Sequence, residues 1–84
     1  MELLYFSAPW CVPCIEYKPL VLAVLTEYPD VEVRQINIDD DLKTAYNNQI
    51  TSIPTLVIKD QPKLVGKASE ADLRRWLNLA TGRV

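Results

Sequence analysis

Two cysteines, Cys11 and Cys14, stand in the stretch SAPWCVPC with two residues between them. They are the only thiols of the chain, and it has no histidine. Three chemistries are open to such a pair: a metal clip, a structural staple, or a dithiol that opens and closes. A structural zinc takes four ligands, usually cysteine and histidine. Here carboxylates or a second subunit would have to complete the set. The missing histidine also removes any Cys–His nucleophile pair. A disulfide closing so short a loop is a poor staple, because stabilisation grows with loop length. Two inert buried cysteines would need a chance placement between a strand and a helix start. The spacing alone is a weak signal; at a strand-to-helix junction it is much stronger. The redox reading uses every feature. A helix N-terminus carries partial positive charge and free N–H groups, and a thiolate placed there has a lowered pKa. On that reading Cys11, exposed at the helix start, attacks a substrate disulfide, and Cys14, buried one turn on, resolves the mixed disulfide.

The elements that must hold this pair follow from the pattern on either side. Residues 2–7, ELLYFS, are strand formers and nearly all apolar, as in a strand buried on both faces. From 12 to 28, Tyr17, Val21, Val24, Leu25 and Tyr28 fall on one helical stripe. Pro19 lies inside it and either kinks a continuous helix, since it removes one backbone donor, or marks a helix that starts only there and leaves the cysteines in a loop. Residues 31–39, VEVRQINID, alternate and are β-branched. Their apolar phase slips between Val33 and Ile36, which puts Gln35 on the face of Val33. DDLKTAYNNQ predicts a short helix with Asp39 or Asp40 as its N-cap. Residues 55–59 and 63–66 form a hairpin joined by DQP. A last helix begins at Ser69, with Asp72 in the place of the usual Glu or Gln of a capping box. Leu73, Trp76, Leu77 and Ala80 form its inner face, and Gly82 suits its C-terminal cap. The order β-α-β-α-β-β-α gives an α/β fold: a four-stranded mixed sheet with helices on both faces. The expected strand order is 31–38, 2–7, 55–59, 63–66, in one domain spanning 1–84.

Bulk composition narrows the function further. With 84 residues, 49% of them apolar, the chain carries one small core and is not disordered. Net charge is −2, from 9 basic and 11 acidic residues mixed along the chain. There is no basic patch for a phosphate backbone, so no nucleic-acid partner is expected. Met1 is followed by Glu2 without the basic region of a signal peptide. The apolar run 20–25 is too short for a bilayer span. The expectation is a cytoplasmic monomer without a membrane partner, where two cysteines are metal-binding or catalytic more often than structural.

The joint pattern resembles the thioredoxin family over essentially the whole chain. APWCVPC is similar to that family's WCGPC active site, with Val12 where glycine is usual, followed by Pro13. Pro19 falls at the family's helix kink, NID at 37–39 at the end of its second core strand, and SIPT at 52–55 at its cis-proline loop. Gly66 falls where the family ends its last strand. The resemblance implies the thioredoxin fold and a protein disulfide reductase. In it Cys11 is the nucleophile, Cys14 the resolving thiol, and Val12 and Pro13 form the active-site loop. Trp10 flanks the substrate groove, Pro54 is cis and faces the cysteines, and the Ile53 backbone pairs with an extended substrate segment. It implies no metal and no cofactor beyond a redox-active Cys11–Cys14 disulfide. Its implied partners are disulfide-containing proteins and a thioredoxin reductase or similar electron donor.

The departures are specific. The sequence starts at the strand just before the active site, so a minimal form lacking the family's first strand and helix is expected. Tyr5 stands where the family has a buried aspartate beneath the cysteines, and Gln35 where that residue's lysine partner is usual. Ser7 replaces a usual tryptophan, and the connection from Pro54 to Gly66 is short. These features raise a glutaredoxin-like, glutathione-dependent oxidoreductase as the alternative. Glutaredoxins carry a late Gly-Gly pair, whereas here a single Gly66 is followed by Lys67. A non-enzymatic thioredoxin-fold interaction module is a third reading, which two intact cysteines oppose.

Overall fold

The computed structural model describes residues 1–83; Val84, the end of the expected domain span, lies outside the described residues. Strand β1 (Glu2–Ser7) is central. It pairs in parallel with β2 (Glu32–Asn37) and antiparallel with β3 (Thr55–Ile58), and β3 pairs antiparallel with β4 (Leu64–Val65). The order β2-β1-β3-β4 is the mixed four-stranded sheet expected from sequence. Its central place explains the apolar composition of β1, since successive side chains point to opposite faces and both faces are covered. Leu3 and Tyr5 join a core with Tyr17 and Val21 of α1 (Val12–Leu25) and with Leu73 and Leu77 of α3 (Glu70–Thr81). Phe6 packs on the other face with Ile36 and with Ala45 of α2 (Leu42–Asn47). Gln35 pairs in register with Tyr5, on the face that also carries Val33 opposite Leu3.

Several boundaries differ from expectation, each for a hydrogen-bonding reason. Helix α1 runs through Pro19 but ends at Leu25 rather than Tyr28. From Thr26 the backbone tightens: Thr26, Glu27 and Tyr28 donate to the carbonyls three residues back, at 3.3, 3.1 and 3.0 Å. Tyr28 still reaches the core. The N-cap of α2 is Asp41, not Asp39 or Asp40. The backbone N–H groups of Asp40 and Asp41 both turn back to the Asn37 carbonyl at 3.0 Å, which delays the helix. Asp41 then accepts the Thr44 hydroxyl at 2.6 Å and the Thr44 N–H at 3.1 Å. Those bonds, the hydroxyl first, hold its carboxyl below the usual carboxylate range. The hairpin strands are shorter than the sequence suggests, β4 being only Leu64–Val65.

The capping box of α3 forms by half. Ser69 Oγ accepts the Asp72 N–H at 3.1 Å, but the Asp72 carboxylate accepts Arg75 at 2.8 Å instead of reaching back. Aspartate is one methylene shorter than the glutamate such a box uses. Ser69→Ala is therefore expected to destabilise the fold by about 1 kcal/mol, seen as a melting temperature lower by about 4–8 °C. Asp72→Asn should cost less, since it leaves the Ser69 bond in place. Equal losses for the two variants in thermal melts would show that the Asp72 carboxylate carries the cap.

Candidate active site

The end of β1 leads directly into the site. Ala8 is buried, and its carbonyl accepts the Cys11 N–H at 3.1 Å, closing a turn around Pro9 and Trp10. Cys11 then sits in extended conformation as the N-cap of α1. Its sulfur accepts the N–H of Cys14 at 3.2 Å, the bond that a serine or aspartate side chain usually supplies at a cap. Val12 and Pro13 fill the first two helical positions, where the missing N–H of proline removes no helical bond. The first turn carries no acidic side chain to oppose a negative sulfur. Cys11 and Cys14 are joined as a disulfide, with their Cα atoms 5.2 Å apart.

Cys11 is not exposed as expected. It is 5% accessible, against 2% for Cys14, because Ala8, Ile38 and Ile53 pack over the pair. The surface around it is apolar: Trp10, Val12 and Ile15 are all exposed. Trp10 is held in place by its indole N–H, which donates to Asp39 at 2.9 Å. Beside Trp10 and Ile53, a groove of about 450 Å³ runs along α2 past Leu42 and Tyr46.

The loop before β3 faces the pair. The Ile53–Pro54 peptide is cis, and the Ile53 carbonyl oxygen lies 4.0 Å from Cys11 Sγ. Pro54 is buried, and its carbonyl accepts the Gly66 N–H at 2.8 Å. Gly66 has φ +84°, a backbone conformation that suits glycine. The Thr55 hydroxyl donates to the Ser52 carbonyl at 2.7 Å and tightens the same loop.

Beneath the pair lies Tyr5, whose hydroxyl donates to the Cys14 carbonyl at 2.8 Å. Burial pushes its pKa up. Tyr17 is also buried, and its hydroxyl has no hydrogen-bond partner among the described residues. The neighbouring Ala68 N–H is already committed to the Gly66 carbonyl at 3.0 Å. Burial chiefly, and then the nearby Tyr5, push the Tyr17 phenol up to about 12, with Ala68 acting the other way. Neither phenol is a base at neutral pH. Gln35 lines a cleft of mixed polar and apolar walls on the Cys14 side, together with Tyr5.

The fold thus brings together Trp10, Cys11, Val12, Pro13, Cys14, Ile53 and Pro54, with Tyr5 and Gln35 beneath. Sequence reasoning missed Asp39, which lies 29 residues from Trp10 and carries no local signal. It also missed Leu42 and Tyr46 beside Trp10, and Lys18 at the Cys14 cleft. The spacing of four between Cys14 and Lys18 on one helix was the available signal. No three His, Cys, Asp or Glu side chains converge on a metal-sized site among the described residues. No helix among them is long and apolar enough to cross a membrane.

Comparison with known proteins agrees with this geometry. The sequence profile of the thioredoxin family matches residues 1–79. A thioredoxin of Chlamydia pneumoniae is 39% identical over 82 residues, covering 93% of this chain and 80% of that protein. A thioredoxin of Porphyra purpurea is 46% identical over 78 residues, covering 87% of this chain and 73% of that protein. The X-ray structure of Fasciola hepatica thioredoxin superposes with a TM-score of 0.84 at 31% identity, covering 94% of this chain and 79% of that one. With a closed cysteine pair at its helix cap, a four-stranded mixed sheet and these relatives, the chain belongs to the thioredoxin family and is a thiol–disulfide oxidoreductase.

Proposed function

We propose that the protein is a disulfide reductase acting on proteins through its CVPC dithiol, with Cys11 the attacking thiolate and Cys14 the resolving thiol. The position of Cys11 carries this reading: its sulfur caps α1 and accepts the Cys14 N–H. A thiolate there gains a charge-assisted hydrogen bond and the positive end of the helix. A substrate disulfide approaches across the rim of Trp10, Val12 and Ile53, and its extended backbone pairs with that of Ile53. Electrons enter and leave as thiol pairs, so the exchange needs no metal or organic cofactor. The substrates are disulfide-bearing proteins, and the electron donor is a thioredoxin reductase or similar enzyme. A reducing cytoplasm is the setting this role requires, with the protein acting as a monomer.

Direction follows from how strongly the Cys11 thiolate is stabilised. Pro13 offers no N–H to the sulfur, and residues 1–17 contain no lysine, arginine or histidine. The helix terminus and the Cys14 N–H remain, which gives a modest pKa shift and a reducing pair. The expected reduction potential is about −220 to −280 mV, on the scale where thioredoxin lies near −270 mV. Equilibration in a glutathione redox buffer, followed through Trp10 fluorescence, measures it. A value above about −180 mV would reverse the assignment to an oxidant or isomerase.

The direct test is turnover of a disulfide-bonded protein with thioredoxin reductase, set against turnover with glutathione and glutathione reductase. Faster turnover with the first supports the proposal. Faster turnover with glutathione marks a glutaredoxin-like enzyme, and none with either marks an interaction module.

A further inference from the structure

A cleft of about 290 Å³ touches Cys14 but neither Cys11 nor Ile53. Ser7, Gln35 and Asn37 give it one polar wall beside Tyr5, Cys14 and Lys18, and the rest of its lining is apolar. It has room and polar partners for several waters, each taking about 30 Å³. In the resolving step Cys14 must lose its proton. Its sulfur then attacks Cys11 Sγ of the mixed disulfide. The Cys11–Cys14 bond forms as the bond from Cys11 to the substrate sulfur breaks, and the electron pair leaves on the substrate thiolate, which is protonated by solvent. The protein dithiol is oxidised by two electrons and the substrate disulfide is reduced.

Among the described residues no carboxylate lines this cleft to take that proton. Tyr5 already donates its own to the Cys14 carbonyl at 2.8 Å. On α1, Glu16 is paired with Lys67, at 3.6 Å. Asp39 holds the Trp10 indole. Strand β2 presents only neutral Gln35 and Asn37 to the cleft, and Thr51, Ser52 and Ile53 before Pro54 carry no ionisable group. Lys18 is the one cation lining it. It lies four residues after Cys14 on α1, and helical side chains lean toward the N-terminus over the preceding turn. That lean carries the ammonium toward Cys14.

We propose that this cleft is the proton exit of the resolving thiol, with Lys18 a positioning residue whose charge favours the Cys14 thiolate while cleft water takes the proton. The proposal rests on Cys14 being the resolving thiol. Side chains four apart on a helix are about 6 Å apart at their Cβ atoms, and a unit charge at that range in an effective dielectric of about 40–80 changes thiolate population about three- to tenfold.

One equivalent of dithiodipyridine, a neutral aromatic disulfide, tests this with the reduced protein. The first thiopyridone is released as Cys11 attacks and the second as Cys14 resolves. Lys18→Gln should slow the second release about three- to tenfold below the Cys14 midpoint and raise that midpoint by about 0.5–1 pH unit. The first release should stay unchanged, and Lys18→Arg should restore the second. An unchanged second release in Lys18→Gln would overturn the proposal, as would equal slowing of both releases in the Gln and Arg variants. These outcomes leave the thiol assignment intact. A second release that persists in Cys14→Ser would instead remove Cys14 as the resolving thiol, and the proposal with it.

Discussion

Cys14→Ser is expected to hold substrate proteins on Cys11 as stable mixed disulfides, whereas Cys11→Ser holds almost none. Turnover falls to background in both, because a serine hydroxyl is not ionised at neutral pH and cannot form the S–S bond. The difference lies in where the reaction stops. In Cys14→Ser the capping sulfur still accepts a backbone N–H at the head of α1, so attack proceeds and resolution fails. In Cys11→Ser the remaining thiol is 2% accessible and lies a turn inside the helix, away from the positive terminus. The comparison is clean on the structural side. Serine is among the best N-cap residues, so Cys11→Ser retains the cap on α1 and should fold as well as the reduced protein. Non-reducing gels and mass spectrometry after mixing with a disulfide-bonded protein read the outcome. More adduct on Cys14 of Cys11→Ser than on Cys11 of Cys14→Ser would exchange the two roles.

The sheet was legible because burial and composition agree along each strand. A run such as ELLYFS fits a centre strand, whereas the pairing of Gln35 with Tyr5 is a matter of register that alternation alone does not set. A helix start at Cys11 was one of two readings of the sequence, the other leaving the cysteines in a loop; the structure starts α1 there, with three residues between Ser7 and the cap. What was not legible depends on which of several competing groups wins a hydrogen bond. Three consecutive aspartates are alike in sequence, yet Asp39 goes to Trp10 and Asp41 caps α2. The cover over Cys11 comes from Ile53, whose carbonyl approaches from 42 residues away. Tyr5 could be recognised as replacing a carboxylate, but its hydroxyl bond to the Cys14 carbonyl is a tertiary fact. The contacts made by Trp10, Cys11 and Tyr5 are long-range, and local propensity is blind to them, whereas the Asp41 cap is local and was lost to the choice among three like neighbours.

Tyr5→Asp is expected to lower the melting temperature by about 12–40 °C, a large share of the stability of a domain this small. Tyr5 is 2% accessible and packs between β1 and the helices of the larger core. Removing a buried aromatic ring costs about 3–5 kcal/mol, and each kcal/mol shifts the midpoint of a domain of this length by about 4–8 °C. The loss should depend on pH. A buried carboxyl prefers its neutral form, so its folded pKa rises above the unfolded value near ~3.9. Its penalty is then absent below that value, grows as pH rises toward the folded pKa, and is constant above it. The gap between variant and wild type should therefore widen from acid to neutral pH. Activity should move as well: a carboxylate below Cys14 can take the resolving proton, adding a titration to the second release of thiopyridone. Tyr5→Phe is the control, because it loses only the hydroxyl bond to Cys14, worth about 1 kcal/mol, and adds no titrating group. Denaturant melts across pH, with the release kinetics, separate the two variants. A wild-type profile that already shows a buried carboxyl titration would mean that some acid other than Tyr5 serves Cys14. A pH-independent gap for Tyr5→Asp would mean that the position is wet rather than buried.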